Sequence, residues 1–230
     1  MTKAILENFK DSKVDDMLVS PNNARWLALG AAAGQILFTL AWFVLGFVSP
    51  GFTIFGTHIA PYSAITTPLS GLGLGPTAPF MNTAFVLGGL LTLAGVFGIF
   101  QSIHEMSALA RRSCIALFAL SPLGMVMDGI FTLESFMFHM LGFLLGVGSP
   151  VIGFMVAGLL LRRIPRWRTF GNWLFVGSPV TLILVILSLA TFSQAAVIAG
   201  QGVAGLIERV LAVEVSAWFV ALSWLAFRRP

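Results

Sequence analysis

Charge is what this chain has least of. Only 10% of its residues are Asp, Glu, Lys or Arg, against 57% hydrophobic, and the mean hydropathy is +0.94. A soluble domain of 230 residues has no need of so many long apolar runs. Several of them reach the roughly 20 residues that cross a bilayer core of about 30 Å. Cysteine is nearly absent too: Cys114 stands alone, which excludes an internal disulfide and a multi-cysteine metal site. A short basic leader is also missing. Residues 1–24 are polar and include Glu7, Asp11, Asp15 and Asp16, and the run after them is long enough to span, so no cleavable signal is read here. The net charge of +4 does not point to nucleic acid, because the basic residues sit in short clusters between apolar runs.

What is present implies an all-α membrane protein, a bundle of six transmembrane helices in one domain, residues 25–230, behind an N-terminal segment, residues 1–24. The hydropathy pattern places spans at about Trp26–Val48, Met81–Gln101, Ser113–Phe131, Ser135–Leu161, Trp173–Ala196 and Ala204–Phe227. If six spans alternate, Lys3, Lys10, Lys13, Arg25, Arg111, Arg112, Arg162, Arg163, Arg166, Arg168, Arg228 and Arg229 all fall on one side, and only Arg209 on the other. Basic loops stay cytoplasmic, so both termini are expected there. Trp26, Trp167, Trp173 and Trp224 fall at the same interface, the depth that tryptophan favours. The tail stretch "AILENFKDSKVDDML" has loosely helical apolar spacing and could form a short surface helix.

The first outer loop, Ser49 to Phe80, is about 32 residues long and has no Lys, Arg, Asp or Glu, an uncommon length for a structureless loop. Its apolar content predicts that it folds back over the outer mouth of the bundle. Small residues mark helix contacts: Gly30 to Gly34 in the first span and Gly142 with Gly146 in the fourth, either within the bundle or in an oligomer. "VGSPV" occurs at Val147–Val151 and Val176–Val180, so Pro150 and Pro179 should bend the fourth and fifth spans. "SGLGLG", with Gly71, Gly73 and Gly75, has no following lysine and reads as loop flexibility, not a phosphate cradle.

Ionisable residues collect on the extracytoplasmic side. "DGIFTLESFMFH" carries Asp128, Glu134 and His139. The sixth span opens on Glu208 and Arg209 with Glu214 deeper, and His58 lies in the long loop. Groups of this kind in a membrane face the interior and pair. Asp128 or Glu134 is the expected partner of Arg209, because Glu208 adjoins it on the chain and points elsewhere. The cluster is either a structural latch or a pocket for a lipid headgroup, a small polar ligand or a partner subunit. A sharper version makes His58, Asp128 and His139 the ligands of a catalytic zinc, with a carboxylate as base, though no local spacing such as H-E-x-x-H supports it. A nucleophile such as Ser70 would need a histidine nearby, and His58 could serve. The sequence names no cofactor. Expected partners are membrane lipids, with a partner membrane subunit or a second copy as further candidates.

The stretch "PLSGLGLGPTAPFMNTAFVLGGLL" resembles the signature of the bacterial domain-of-unknown-function 998 family, a Ser-x-Leu-Gly loop followed by an Asn entering a Gly-rich span; Ser70, Leu72, Gly73 and Asn82 match it. "GIFTLE" followed by His139 resembles that family's outer hairpin, with Thr132 where the family often has Pro, and "GLIERV" resembles the start of its last span. The resemblance covers roughly residues 25–227 and implies a six-helix fold in the bacterial inner membrane, with no established activity. Three function classes stand: a non-enzymatic binding protein, an intramembrane lipid hydrolase at the outer leaflet using His58, His139 and nearby carboxylates, and a transporter bent at Pro150 and Pro179. The lack of ionisable residues in the cytoplasmic half speaks against the last.

Overall fold

A computed structural model describes residues 21–228. The expected N-terminal surface helix, and most of the 1–24 segment, lie outside the described residues. Six helices are long and apolar enough to cross a membrane. The first is α1 (Pro21–Val48). A hairpin of β1 (Phe52–Ile54) and β2 (Thr57–Ile59) and a 3₁₀ turn at Leu69–Gly73 precede α2 (Ala78–Ser102) and α3 (Ala108–Ile130). The fourth span has two parts, α4 (Phe136–Phe143) and α5 (Ser149–Leu161), joined by a π-helical turn at Leu144–Gly148. Then come α6 (Arg168–Thr191), the short α7 (Gln194–Ile198) and α8 (Ala204–Arg228).

The spans pack in chain order around a ring, each on the next, and α8 closes the ring on α1. The described ends of the chain therefore meet: Arg25 Nε donates to Phe227 O at 3.1 Å, and the Trp26 and Phe227 rings lie 5.0 Å apart. In the half of the bundle nearest these ends the interior is aromatic, with Phe118 packed on Phe100, Phe154 and Phe219 at 5.0–5.7 Å between ring centroids. The outward faces carry exposed apolar side chains such as Leu40, Phe47, Ile183 and Ile186, as a helix that is hydrophobic all round requires.

Lipid tails give helices no hydrophobic reason to associate, so close packing has to do it. The glycine stretch of α1 does this within the chain. A methyl group at Gly34 would stand 2.4 Å from Gly88 O of α2, and one at Gly95 only 1.9 Å from Ala31 N. Gly142 and Gly146 likewise meet Gly124 of α3: a methyl at Gly124 would lie 2.3 Å from Gly146 N.

The fourth span breaks where proline predicts. Pro150 has no N–H, so the carbonyl four residues back loses its usual donor. That carbonyl, Gly146 O, accepts instead from Ser121 Oγ of α3 at 2.6 Å, while Ser149 Oγ donates to Leu145 O at 2.6 Å. Below the break α5 packs along α6; above it α4 leans on α3.

One boundary needs correction. The fifth helix runs Arg168–Thr191, not to Ala196, because Ser193 starts and caps α7 by accepting from Ala196 N. Trp167 is 2% exposed and packs in the core beside Phe170. The long loop contains regular structure. Phe55 and Gly56 both have positive φ, 48° and 77°, the two-residue turn that matches strand twist, and the hairpin seats Phe52, Ile54 and Ile59 on Leu74, Leu133 and Val197. The loop does cap the bundle, as expected.

Gly95→Ala should cost about 1–3 kcal/mol of stability through forced separation of α1 and α2, read by thermal unfolding in mild detergent. Gly148→Ala, where nothing lies within 4 Å of the added methyl, should stay within about 0.5 kcal/mol.

Candidate functional site

The 3₁₀ turn Leu69–Gly73 is buried at every residue. Burying loop backbone needs partners for its peptide groups, and two neighbours at the start of α8 supply them. Glu208 Oε2 accepts from Leu69 N at 2.7 Å. Arg209 Nη1 donates to Ala64 O, Thr67 O and Gly205 O at 2.9, 3.1 and 2.8 Å, and Nη2 donates to the Tyr62 hydroxyl. The guanidinium sits 5.7 Å from the Trp42 ring centroid and 5.6 Å from that of Tyr62, within cation–π range. Gly205 leaves no room for a side chain, since a methyl there would be 2.2 Å from Thr67 O. The expected pairing of Arg209 with Asp128 or Glu134 is therefore corrected. Among the described residues no ion pair joins Arg209 to a carboxylate; its Nη1 and Nη2 groups donate to two loop carbonyls, one carbonyl of its own helix and a phenol. Asn82 adds a second tie, donating from Nδ2 to Gly73 O at 3.2 Å.

Beside this clamp lie Asp128 and His139. His139 is 5% exposed, and its Nδ1 lies 2.8 Å from Phe131 O. A carbonyl only accepts, so Nδ1 carries the proton and Nε2 of the neutral ring is an acceptor. Asp128 is 8% exposed and its Oδ1 stands 3.4 Å from His139 Nδ1, but no hydrogen bond reaches that oxygen. The Nδ1 proton is already given to Phe131. The carboxyl is pressed against α4, where a methyl on Gly142 would come within 2.2 Å of Oδ1.

Two adjoining cavities meet at these residues. The inner one, about 60 Å³, is lined by Asp128, His139, Ser70 and Glu208, and extends to Gln35, Ser121 and Ser216 in the middle of the bundle. The outer one, about 40 Å³, shares Ser70, His139, Phe143 and Glu208. Its remaining walls are Phe136 and Met140 of α4, Ser188, Leu189 and Phe192 at the end of α6, and Pro68, Leu133 and Ala204. It lies where α4 leans away from α6, and Phe136 and Leu189 on its rim are themselves exposed on the bundle surface.

The structure thus brings Ser70, Asp128, His139 and Glu208 together. It does not bring the others. His58 is on β2, exposed, and within 3.3 Å of Thr53 Oγ1 across the hairpin. Glu134 is exposed on the turn before α4. Glu214 turns toward α6, where Thr181 Oγ1 donates to it at 3.0 and 3.1 Å, and the Trp218 indole, one turn further along α8, donates to it at 2.5 Å. The expected zinc triad of His58, Asp128 and His139 is corrected accordingly: among the described residues no three His, Cys, Asp or Glu side chains stand together as metal ligands. The histidine beside Ser70 is His139, not His58.

Sequence reasoning missed Tyr62 and Trp42, which cage Arg209, and Gln35, which donates to Thr92 Oγ1 and Met125 Sδ and accepts from Ser216 Oγ at 2.7 Å. A lone amide inside an apolar run was the signal for Gln35.

The family model described as protein of unknown function DUF998 matches residues 32–225. No curated protein and no solved structure matches the chain.

Burial pushes the Tyr62 phenol up to about 12 from the usual 10, against the opposing pull of the Arg209 cation. Between those values the folded protein keeps a proton that the unfolded chain has lost, so stability should fall as pH rises from 10 to 12. Tyr62 is the only tyrosine, so its phenolate absorbance reports this site alone. It should titrate near pH 12 in detergent.

Proposed function

The chain belongs to the DUF998 family, and from its site we propose that it is a polytopic membrane protein that binds amphiphiles from the outer leaflet in an extracytoplasmic, laterally open pocket. One observation supports this most: an apolar cleft between the outer part of the fourth span and the end of the fifth leads to Ser70, His139 and Glu208. A tail would lie among Phe136, Met140, Leu189 and Phe192 while its head meets the polar end. Pockets of this kind, apolar with a few convergent polar groups, suit small amphiphiles. The distribution of Lys and Arg supports placing the loop side outside an inner membrane with both termini cytoplasmic. The glycine faces that a partner subunit or second copy could have used are filled within the chain.

A hydrolase is the second reading, and it has its own support. Ser70, His139 and Asp128 line one cavity, with Asp128 and His139 in contact. Hydrolysis would ask Nε2 of His139 to take the Ser70 proton as Oγ attacks an ester carbonyl.

Native mass spectrometry of the purified chain in mild detergent should show a retained amphiphile. Ser188→Trp, which fills the outer cleft, should abolish retention while keeping the thermal midpoint of unfolding. A wild-type chain that flies clean, with nothing retained from membranes, would overturn the reading. Ser70→Ala separates the alternatives: binding survives it, whereas hydrolysis of a bound ester would fall by about 10³-fold or more.

A further inference from the structure

The inner cavity has an unequal supply of donors and acceptors. Ser121 spends its hydroxyl proton on Gly146 O, and Ser216 spends its own on Gln35 Oε1. The Gln35 amide gives its two N–H bonds to Thr92 Oγ1 and Met125 Sδ. Of what still faces the space, the Ser70 hydroxyl can donate, and the other polar groups are acceptors. Asp128 Oδ1 is buried and has no hydrogen-bond partner. Glu208 accepts from the backbone N–H groups of Leu69, at Oε2, and of Ser70, and its remaining lone pairs are acceptors. His139 presents Nε2, because Nδ1 serves Phe131 O. Neither Lys nor Arg lines the cavity; the nearby Arg209 is turned into the loop carbonyls.

Buried acceptors without donors are costly, and a ligand that brings donors relieves that cost. An anionic head would meet two carboxyl groups, and the one cation nearby, Arg209, does not line the cavity and is already bonded to carbonyls and Tyr62. Size narrows the class further. The inner cavity of about 60 Å³ holds roughly four to six water-sized groups at 10–15 Å³ each, about the bulk of a glycerol or amino-alcohol head and too little for a sugar. From this geometry we infer that the inner cavity selects a long-chain amphiphile whose head is a small polyol or amino alcohol, held by hydrogen bonds donated to Asp128, Glu208 and His139. The inference rests on the amphiphile-binding reading above and adds its head-group chemistry.

The test uses the full chain in mild detergent and four probes of equal alkyl length: a monoacylglycerol, an N-alkyl amino alcohol, an alkyl phosphate and a fatty-acid methyl ester. Thermal unfolding is followed as each is titrated. The monoacylglycerol and the amino alcohol should raise the midpoint by about 2–4 °C or more in a saturable way, and the phosphate and the ester should not. Asp128→Asn, which swaps an acceptor oxygen for a donor, should weaken the two favoured probes about tenfold. Should that variant not fold, Glu208→Gln is read in its place, and the wild-type ranking alone decides. If the alkyl phosphate or the methyl ester stabilises as well as the monoacylglycerol, this inference falls while amphiphile binding stands. If no probe stabilises the wild type, and Ser188→Trp behaves as the wild type does, both fall together.

Discussion

Everything on the loop side depends on finding partners for peptide groups that are not in helices. An unsatisfied N–H or carbonyl in hydrocarbon costs several kcal/mol, yet Leu69–Gly73 is wholly buried among the spans. Two consecutive residues of opposite polarity meet that demand. Glu208 accepts what the turn donates, and Arg209 donates to what the preceding segment accepts. They sit about one turn inside α8, some 6 Å from its start, and this fixes how far the loop descends. Because Arg209 is committed to carbonyls and Tyr62, it makes no direct ion pair with a carboxylate among the described residues. The acceptor-rich character of the cavity is thus a consequence of how the loop is held.

The cleft has a separate origin in the fourth span. Pro150 removes a donor, Ser121 replaces it from α3, and the glycines at 124, 142 and 146 let the two backbones touch. The same contact presses Asp128 against Gly142 and carries His139 to the Phe131 carbonyl. Drawn onto α3, α4 cannot also follow α6, and the space left between them is the outer cavity. A single run of small residues and one proline therefore produce the mouth of the site and position two of its polar groups.

Much of this was legible in the sequence, for identifiable reasons. Apolar runs of span length mark the helices, and glycine spacing marks the contacts, because both are one-dimensional signals. The end of the bundle at which His58, Glu134 and Glu208 fall could also be read, since it follows from the order of the spans. Their direction around the bundle could not, since hydropathy gives depth and not azimuth. Glu214 shows the limit: six residues beyond Glu208 on one helix, it points at Thr181 of α6 instead of the cavity. The partners of Arg209 are hidden for another reason: they are backbone carbonyls, which leave no mark in a list of residue types. Gln35 and Tyr62 went unread because a single polar residue hardly disturbs an average taken over a span or a loop.

The interior on the terminal side bears on what kind of site this is. Phe118, Phe154 and Phe219 fill it with rings in mutual contact, and the cavities near Ser70 touch that cluster only at their deep edge, through Phe143, Val147 and Val215. A solute moving across would have to displace close-packed aromatic side chains, which forfeits many dispersion contacts at once. The inner cavity is accordingly blind at its deep end. On the proposed reading, a blind cavity joined to an apolar cleft would fill and empty through that cleft. That favours a ligand with a tail over a water-soluble solute, and binding or chemistry at the head over passage through the bundle.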